Sequence, residues 1–271
     1  RIVNSCRGRR VMMKIAIALK QVPTRDTLLR LNEPKSWIKE KDVSFHINEP
    51  DTYALEEALR LKEKHGGEVV VCSLGPERVQ QAIKEALAKG ADRAVHFDDA
   101  QFTHLDANST ATVLSRILEP ERPDLILTGL QSDDLGYAQT GVILAEQLGY
   151  PHATIVIEIQ TDGKNLRVKR ELEAGWFQWV SMSLPALLTI QSGINKPRYA
   201  NLRGIMQAKS KPINRVTAED LGLVTKDLSP KQKIVRLYLQ ERKSTTEFLQ
   251  GNPQQIASQL ASKLRNEVRI L

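Results

Sequence analysis

The chain is poor in cysteine and has no long apolar run. Its 271 residues include two cysteines, Cys6 and Cys72, which lie far apart in the sequence. Two distant thiols build neither a disulfide framework nor a cysteine-based zinc site, so this usage fits a reducing compartment. No stretch approaches the roughly 18 consecutive apolar residues that a membrane-spanning helix needs, which argues against that class of protein.

Aromatic residues are also scarce, at 5% of the chain. The net charge of +7 arises from two acid-free segments, residues 1–20 and 195–218, each with six basic side chains, and the rest of the chain is net acidic. Sequence-independent nucleic-acid binding usually needs a broad basic face with stacking aromatic side chains. The composition therefore argues against a nucleic-acid-binding protein.

Several catalytic signatures are missing. The sequence has no P-loop, no G-x-G-x-x-G fingerprint, no G-x-S-x-G nucleophile elbow and no H-E-x-x-H zinc motif. Its five histidines show no metal-ligand spacing. We therefore predict no metal site and no catalytic residues, although a hydrolase or a metalloenzyme could still assemble a site from scattered residues.

From residue 15 onward, short β-branched runs alternate with segments of helical period. Apolar residues recur at i, i+3 and i+4, as in Leu55, Ala58 and Leu59, and glycines follow the predicted helices. This alternation predicts a doubly wound, Rossmann-like α/β fold with a mostly parallel sheet. The predicted elements are strands at 15–19, 69–74, 94–97, 125–128 and 154–159 and helices at about 52–65, 77–89, 107–118 and 138–148.

After residue 153 the pattern changes from alternating helices and strands to consecutive strands. The turn dipeptide Asp162-Gly163 predicts a hairpin. We expect antiparallel additions to the sheet, formed by strands at about 155–159, 166–168, 176–180 and 186–190.

The C-terminal quarter has a different character. From about residue 196 the sequence is basic, punctuated by proline and poor in strand-forming residues. A last helix is predicted near 253–268, because its apolar residues fall on one stripe. We therefore divide the chain into an appended N-terminal segment (1–12), an α/β domain (13–222) and an extended C-terminal arm (223–271) that docks on a partner.

The most informative segment, residues 129–141, follows an apolar strand and opens a predicted helix. Doubly wound folds bind ligands at this carboxyl edge of the sheet. Small residues let the backbone approach a ligand, free N–H groups at the helix start attract an anion, and the Thr140 hydroxyl adds a donor suited to a phosphate. An ordinary loop before a capped helix is the alternative.

Two weaker candidates lie elsewhere in the sequence. His46–Asp51 contains an Asn-Glu-Pro turn before an Asp-capped helix and could present backbone groups to a base or ribose, although a simple turn with a cap explains it better. Trp176 and Trp179 could flank an aromatic cofactor, but tryptophans with this spacing in strands are more often core or interface residues.

Seven blocks of sequence, in order along the chain, carry a resemblance to a known family. The blocks are Lys14–Val22, Ala54–Glu63, Ser73–Pro76, Ala88–Ala94, Gln131–Gly141, Arg170–Glu173 and Asn195–Ala200. With them the chain resembles the β subunits of electron-transfer flavoproteins from residue 13 to about 222, and it looks closest to bacterial members that serve methylamine or N-methyl dehydrogenases. It departs from the family at Ala174, where relatives usually have glycine or aspartate.

The resemblance implies a heterodimer whose α subunit carries most of a redox-active FAD, while the β subunit closes over it and binds a structural AMP. By position, the AMP contacts fall on Ala18, Asn48, Glu49, Pro50, Asp51, Leu74, Asp134, Leu135, Gly136, Tyr137, Ala138, Gln139, Thr140, Gly141, Val142 and Ala145. Gln139, Thr140 and Gly141 are expected nearest the phosphate, in agreement with the anion site inferred from the loop. A bifurcating branch holds a second FAD here, usually with Val at the position of Thr140, so Thr140 favours AMP.

The resemblance also implies partners. The flavin accepts electrons from flavin dehydrogenases and passes them to a quinone oxidoreductase, so we expect an electron carrier and not an enzyme. Residues 196–211 resemble a recognition loop whose leucine, here Leu202, inserts into the dehydrogenase with Arg198 and Arg203 beside it, and Glu171 is expected to contact the flavin domain. The expected location is the bacterial cytoplasm, or the mitochondrial matrix in a eukaryote. A stand-alone nucleotide-binding module of the universal-stress type is the alternative.

Overall fold

The computed structural model describes residues 12–102, 105–239 and 246–270, so the appended segment expected at 1–12 lies almost entirely outside the described residues. The strands are β1 (Met13–Ala18), β2 (Gln21–Pro23), β3 (Phe45–Ile47), β4 (Gly67–Leu74), β5 (Arg93–Phe97), β6 (Leu125–Gly129), β7 (His152–Thr161), β8 (Asn165–Glu171), β9 (Phe177–Ser183), β10 (Ala186–Ile190) and β11 (Ile213–Val216). Nine of them form one sheet in the order β11-β5-β4-β1-β6-β10-β7-β8-β9. From β11 to β7 neighbouring strands are parallel.

Helices cover both faces of this sheet. The α-helices of the described chain are α1 (Glu49–His65), α2 (Gln80–Lys89), α3 (Ala107–Glu121), α4 (Thr140–Leu148), α5 (Leu202–Ala208) and α6 (Pro253–Lys263), and the first four of them cover the sheet. α1 and α2 bury their apolar stripes against one face, and α3 and α4 against the other. In β1, Ile15 and Ile17 point into the first cluster and Ala16 into the second, because alternate side chains leave opposite faces of a strand. The predicted doubly wound, mostly parallel α/β fold is confirmed.

The end of the sheet beyond β7 is antiparallel, as predicted. β7, β8 and β9 pair in succession, and Asp162 closes the first hairpin by accepting hydrogen bonds from the backbone amides of Lys164 and Asn165 at 2.8 and 2.7 Å. The prediction is wrong for β10, which runs parallel between β6 and β7. All its residues are buried, and a continuous apolar strand suits the centre of a parallel sheet.

Four short elements are missing from the sequence-based prediction. β2 and β3 form a small antiparallel sheet, and α5 and β11 lie in the segment after residue 196. The expectation of little strand structure there is wrong for β11, which extends the sheet in parallel beside β5. Strands of three or four residues are too short to display a period of two, which explains why the pattern missed them.

The packed part of the chain extends beyond its expected C-terminal boundary. Leu223 and Leu228 are buried in the same cluster as α3 and α4. Oδ2 of Asp106 accepts hydrogen bonds from the backbone amides of Lys231 and Gln232 at 2.5 and 2.9 Å. The Leu237 backbone amide also donates to the Lys35 carbonyl at 2.7 Å, so contacts with the α/β domain continue well past the expected limit at residue 222.

The predicted last helix is present as α6, and a π-helical turn at Leu264–Val268 follows it. A capping box between Asn252 and Gln255 begins α6. None of the described residues 253–268 is buried, so the apolar stripe of this helix is open on the chain by itself. Within the described ranges, no helix has the length and apolar character needed to cross a bilayer.

Candidate functional site

A cavity of about 370 Å³ opens at the carboxyl ends of β1, β4, β5 and β6. The chain winds away in opposite directions from β1 and β6, and such a switch point is where doubly wound sheets bind ligands. Ten of the residues predicted to contact a nucleotide line the cavity: Ala18, Asn48, Asp51, Leu74, Leu135, Tyr137, Ala138, Gln139, Thr140 and Gly141. The fold thus brings the predicted loop and the predicted turn to one cavity.

One wall of the cavity is apolar, and Leu74 is its one residue that was predicted from the sequence. The ends of β4 and β5 and the segment at the start of α3 form this wall, with Cys72, Phe97, Phe102, Leu105 and Leu114 among its residues. Burial raises the pKa of the Cys72 thiol to about 12, so the thiol is neutral at pH 7. Such a wall suits a flat, weakly polar group. In the sequence, this wall was indicated only by the apolar residues at the ends of two predicted strands.

The N-terminus of α4 contributes another part of the lining. Gln139 occupies the N-cap position, and its side chain makes no capping hydrogen bond within the described chain. The first N–H groups of a helix have no intrahelical acceptor and carry partial positive charge. Gly136 and Ala138, with φ of 65° and 53°, adopt left-handed backbone that turns the loop into the helix. This end of the cavity suits an anionic group.

The Asp51 carboxylate ties together three segments around the cavity. Its Oδ2 accepts a hydrogen bond from the Lys20 backbone amide at 2.7 Å, and its Oδ1 accepts from the Gly129 amide at 2.9 Å and from Asn48 Nδ2 at 3.1 Å. Burial raises the pKa of Asp51 to about 6, against the opposing effect of these hydrogen bonds. Asp51 therefore shapes the cavity through the backbone and offers little of its charge to a ligand.

Asn48 joins the predicted turn to the predicted loop. Its Nδ2 also donates to the Gln131 carbonyl at 2.9 Å, and its Oδ1 accepts from the Asp133 amide at 2.9 Å. Its backbone amide donates to the Lys20 carbonyl at 2.8 Å. Because the side chain is buried and both of its polar atoms are engaged, Asn48 positions the loop against the end of β1.

Lys20, which the sequence analysis did not select, lines the cavity beside the loop. Its Nζ pairs with Asp134 Oδ1 at 2.7 Å and lies 3.4 Å from Ser132 Oγ. Burial acts to raise the pKa of Asp134, but the charge and hydrogen bonds around it, led by Lys20, lower it below its usual value. Asp134, predicted as a cofactor contact, therefore holds the loop and does not line the cavity.

Five further predicted contacts lie outside the cavity lining. They are Glu49, Pro50, Gly136, Val142 and Ala145. The Glu49 side chain pairs with Arg25 at 2.5 Å, and its backbone amide donates to Asp133 Oδ2 at 3.1 Å. Val142 and Ala145 lie farther along α4, and Ala145 is buried in the core. Only the first turn of α4 therefore borders the cavity.

The residues predicted to contact other proteins lie away from the cavity. Leu202 begins α5 with 77% of its surface exposed, and Arg203 beside it is exposed and makes no ion pair with the described residues. Glu171 ends β8, where its Oε2 accepts a hydrogen bond from Gln191 Nε2 at 3.3 Å. Leu202 and Arg203 are therefore open to a partner, and Glu171 is half-buried.

Arg198 occupies a different environment from Leu202 and Arg203. Its guanidinium pairs with Glu56 at 2.8 Å and with Glu63 at 2.5 Å, and both carboxylates belong to α1. The charge of Arg198 is therefore compensated within the chain, and its contact with a partner stays a prediction.

Comparison with known proteins agrees with the observed fold. The family model of the electron transfer flavoprotein domain matches residues 36–221. The chain is 42% identical over 241 residues to the electron transfer flavoprotein subunit beta of Methylophilus methylotrophus, a match that covers 86% of this chain and 91% of that protein. Identity to the subunit beta of Bacillus subtilis (strain 168) is 34% over 260 residues, with coverages of 96% and 100%. Identity to that of Bos taurus is 35% over 226 residues, with coverages of 82% and 87%. The chain therefore belongs to the electron transfer flavoprotein family, among its β subunits.

Proposed function

We propose that this chain binds AMP in its cavity, joins an α subunit that holds most of an FAD, and serves in electron transfer from flavin dehydrogenases to a quinone oxidoreductase. The observation that carries the proposal is the cavity itself, which combines an apolar wall with an uncapped helix N-terminus. AMP combines a flat aromatic base with an anionic phosphate. The two parts of the nucleotide match the two parts of the lining.

The cavity residues fit AMP in size and in chemistry. A volume of about 370 Å³ lies within the range of roughly 300–1,000 Å³ that is common for small-molecule sites. The Thr140 hydroxyl and the amides of the first turn of α4 would hold the phosphate, and the wall around Phe97 and Leu114 would contact the base. Since Asn48 and Asp51 are engaged within the chain, hydrogen bonds to the base fall to the backbone of the loop.

Electron chemistry would come from the FAD of the α subunit, which accepts and releases electrons when bound. The role of this chain would be to hold a nucleotide and to present surfaces to other proteins. Glu171, at the end of the antiparallel extension, would contact the flavin domain through a polar interaction that forms and breaks during turnover. This assignment follows from the family and from the half-buried position of Glu171 at the end of β8.

Two surfaces of the chain support binding to an α subunit. The first is the aromatic face near β9, where Trp176, Phe177 and Trp179 are 72%, 49% and 39% exposed. The second is the C-terminal arm, whose exposed apolar residues include Val235, Tyr238, Leu239, Phe248, Leu260 and Ile270. Apolar surface of this extent indicates a protein interface, so the chain by itself is an incomplete assembly.

A third surface, on α5, supports binding to a dehydrogenase. Leu202, Ile205 and Met206 are exposed at helical spacing, and Tyr199 stands 93% exposed just before them. Arg203 and the exposed Lys196 and Lys209 supply a basic rim. An apolar centre with a charged rim is the usual anatomy of a binding surface, and the sign of the rim calls for an acidic surface on the dehydrogenase.

Co-expression with an FAD-binding α subunit tests this function. The purified complex should be a yellow 1:1 heterodimer that releases about one AMP and about one FAD on denaturation, and a reduced flavin dehydrogenase should reduce it. Two FAD per heterodimer with no AMP would instead support the bifurcating alternative. A colourless homodimer that binds ATP would support the stand-alone module.

A further inference from the structure

The segment that leads into α5 is attached to α1 by a pair of charge-assisted forks. Arg198 Nε and Nη2 donate to Glu56 Oε2 and Oε1 at 2.8 and 3.1 Å. Nη1 and Nη2 of the same guanidinium donate to Glu63 Oε1 and Oε2 at 2.5 and 3.2 Å. The Arg198 backbone amide also donates to Glu56 Oε2 at 3.1 Å. Bidentate contacts of this kind fix orientation as well as distance.

Glu56 contacts this segment and is too buried to contact another protein. Only 5% of its side chain is exposed, and its other ion pair is with Arg60, one turn along α1, at 2.9 Å. Burial acts to raise the pKa of Glu56, but hydrogen bonds from Arg198 and Arg60 hold it below its usual value. The carboxylate is therefore ionised at pH 7 and depends on Arg198 for compensation.

A second anchor lies at the other end of the segment. Lys211 Nζ donates to the carbonyls of Leu87 and Ala91 at 2.9 and 2.5 Å, at the C-terminus of α2. Between the anchors, Gly204 lies so close to the Ala88 carbonyl that a Cβ there would overlap it. α5 is thus held at both ends and pressed onto α2 in the middle.

We infer that Arg198 is a positioning residue, which with Glu56 and Glu63 fixes the exposed apolar face of α5 in the orientation that a dehydrogenase contacts. The inference rests on the proposed docking of a dehydrogenase at Leu202. A surface that is already ordered loses less conformational entropy on binding than a mobile one. We call the ion pairs of Arg198 with Glu56 and Glu63 the clamp. Loss of the clamp should weaken docking of the dehydrogenase, although Arg198 itself faces α1.

The test uses the FAD-containing heterodimer as electron acceptor for its dehydrogenase, with KM and kcat measured separately. Arg198→Ala and Glu63→Gln should each raise KM and leave kcat unchanged, and the increase for Arg198→Ala should be about tenfold. The KM of Arg198→Lys should lie between those of wild type and Arg198→Ala, because lysine keeps the charge but lacks the two-pronged guanidinium. Amide hydrogen exchange across 196–211 should speed up in the same variants. Arg60→Ala is the matched control, since it removes a partner of Glu56 without touching the segment, and its KM should equal that of wild type.

Glu56→Gln separates positioning from direct contact. Because Glu56 is buried, an increase in KM in this variant supports the clamp, whereas a normal KM beside an increased KM in Arg198→Ala would mean that Arg198 touches the dehydrogenase and would overturn the inference. If Glu56→Gln lowers the melting temperature of the complex, hydrogen exchange decides in its place: faster exchange across 196–211 in Arg198→Ala supports the clamp, and unchanged exchange overturns it. If Leu202→Ala raises KM while Arg198→Ala and Glu56→Gln both have the KM of wild type, the clamp is refuted and the docking proposal stands. A normal KM for Leu202→Ala would refute the docking proposal as well.

Discussion

The backbone amide of Gly129 donates a hydrogen bond of 2.9 Å to Oδ1 of Asp51, so the end of β6 and the first turn of α1 share one buried carboxylate. There is no room at Gly129 for any larger residue, because an added Cβ would overlap that same oxygen. The carboxylate serves the loop before α1, the end of β1 and the end of β6 together. A residue expected to contact the nucleotide is thus first of all a structural part of the site.

Asp51→Asn should change the pH dependence of stability. In the folded chain the pKa of Asp51 is about 6 instead of its usual 3.8, so the folded state binds this proton more tightly than the unfolded state. That contribution is fully present below about pH 3.8 and is lost as the pH rises through 6, a change of about 3 kcal/mol. Relative to the variant, the wild type should therefore lose stability between pH 4 and pH 7, as measured by urea unfolding. A difference between the two proteins that stays constant with pH would contradict the assignment.

Thr140→Val should weaken AMP binding without unfolding the site. Thr140 borders the cavity at the helix N-terminus, and one hydrogen bond from its hydroxyl to a charged phosphate would contribute about 1.5–3 kcal/mol. The dissociation constant for AMP, measured by calorimetry on nucleotide-free complex, should rise roughly tenfold to a hundredfold. The melting temperature of that nucleotide-free complex should stay near wild type. An unchanged dissociation constant would place the phosphate elsewhere.

Gly141→Ala is the informative contrast to Thr140→Val. A Cβ at Gly141 would lie 2.7 Å from Thr189 Cγ2 and 2.8 Å from Thr128 Oγ1, so the helix would have to move off the sheet. Overpacking of this kind costs about 1–3 kcal/mol. Gly141→Ala should therefore lower stability and AMP content together, whereas Thr140→Val lowers AMP content alone.

The parts of the fold that could be predicted from the sequence are those with local signals. β4 and α2 were predicted because β-branched residues and a 3.6-residue period are visible over eight or more residues. The direction of β10 could not be predicted, because its neighbours β6 and β7 are chosen by packing of the whole sheet. α5 was missed for a related reason: its apolar residues face solvent, and its own packing rests on Gly204 and Ala208.

The candidate site shows the same division. The loop before α4 was found because small residues and a helix start are local signals. Lys20 and Phe97 were not found, because only the parallel order of β1, β4, β5 and β6 brings the ends of these strands to one cavity. Asn48 and Asp51, which were predicted as nucleotide contacts, line the cavity, but a sequence does not reveal that their polar atoms already have partners within the chain.

Glu121→Gln should destabilise the chain at neutral pH and have little effect in acid. Hydrogen bonds from Arg93, opposed by partial burial and aided by Lys14, lower the pKa of Glu121 to about 2. A lowered pKa contributes stability above the usual value of 4.5, and this contribution is lost as the pH falls toward 2. Because solvent screens these groups, we expect at most about 1 kcal/mol at pH 7. Glu119→Gln, which breaks only an exposed pair with Arg116 at 3.4 Å, should be neutral by urea unfolding. Equal effects of the two substitutions would refute this expectation.

Glu171→Ala should alter the rate of electron transfer while FAD content stays near normal. Among the described residues, the Glu171 side chain makes a single long hydrogen bond, to Gln191, so its removal should leave the fold intact. A charge-assisted contact with the flavin domain is worth about 1.5–3 kcal/mol when shielded and less when wet. We therefore expect a several-fold change in the rate measured with two or more dehydrogenases. Glu158→Ala, on the neighbouring strand β7, is the control. Unchanged rates in both variants would leave Glu171 as a solvated strand residue.

Leu202→Ala should reduce electron transfer from the dehydrogenase and spare the stability of the chain. Leu202 is 77% exposed, whereas Leu223, from the segment packed on α3, is 6% exposed. An interface leucine contributes about 1–3 kcal/mol to partner binding, so electron transfer at low dehydrogenase concentration should fall about tenfold. Leu223→Ala should instead cost about 2–5 kcal/mol of stability, as buried leucines do. Leu202→Ala should therefore lower the stopped-flow rate and keep the melting temperature, whereas Leu223→Ala should lower the melting temperature. A large fall in melting temperature for Leu202→Ala, with a normal rate of electron transfer from the dehydrogenase, would show that Leu202 is structural. It would refute the proposal that the dehydrogenase docks on α5.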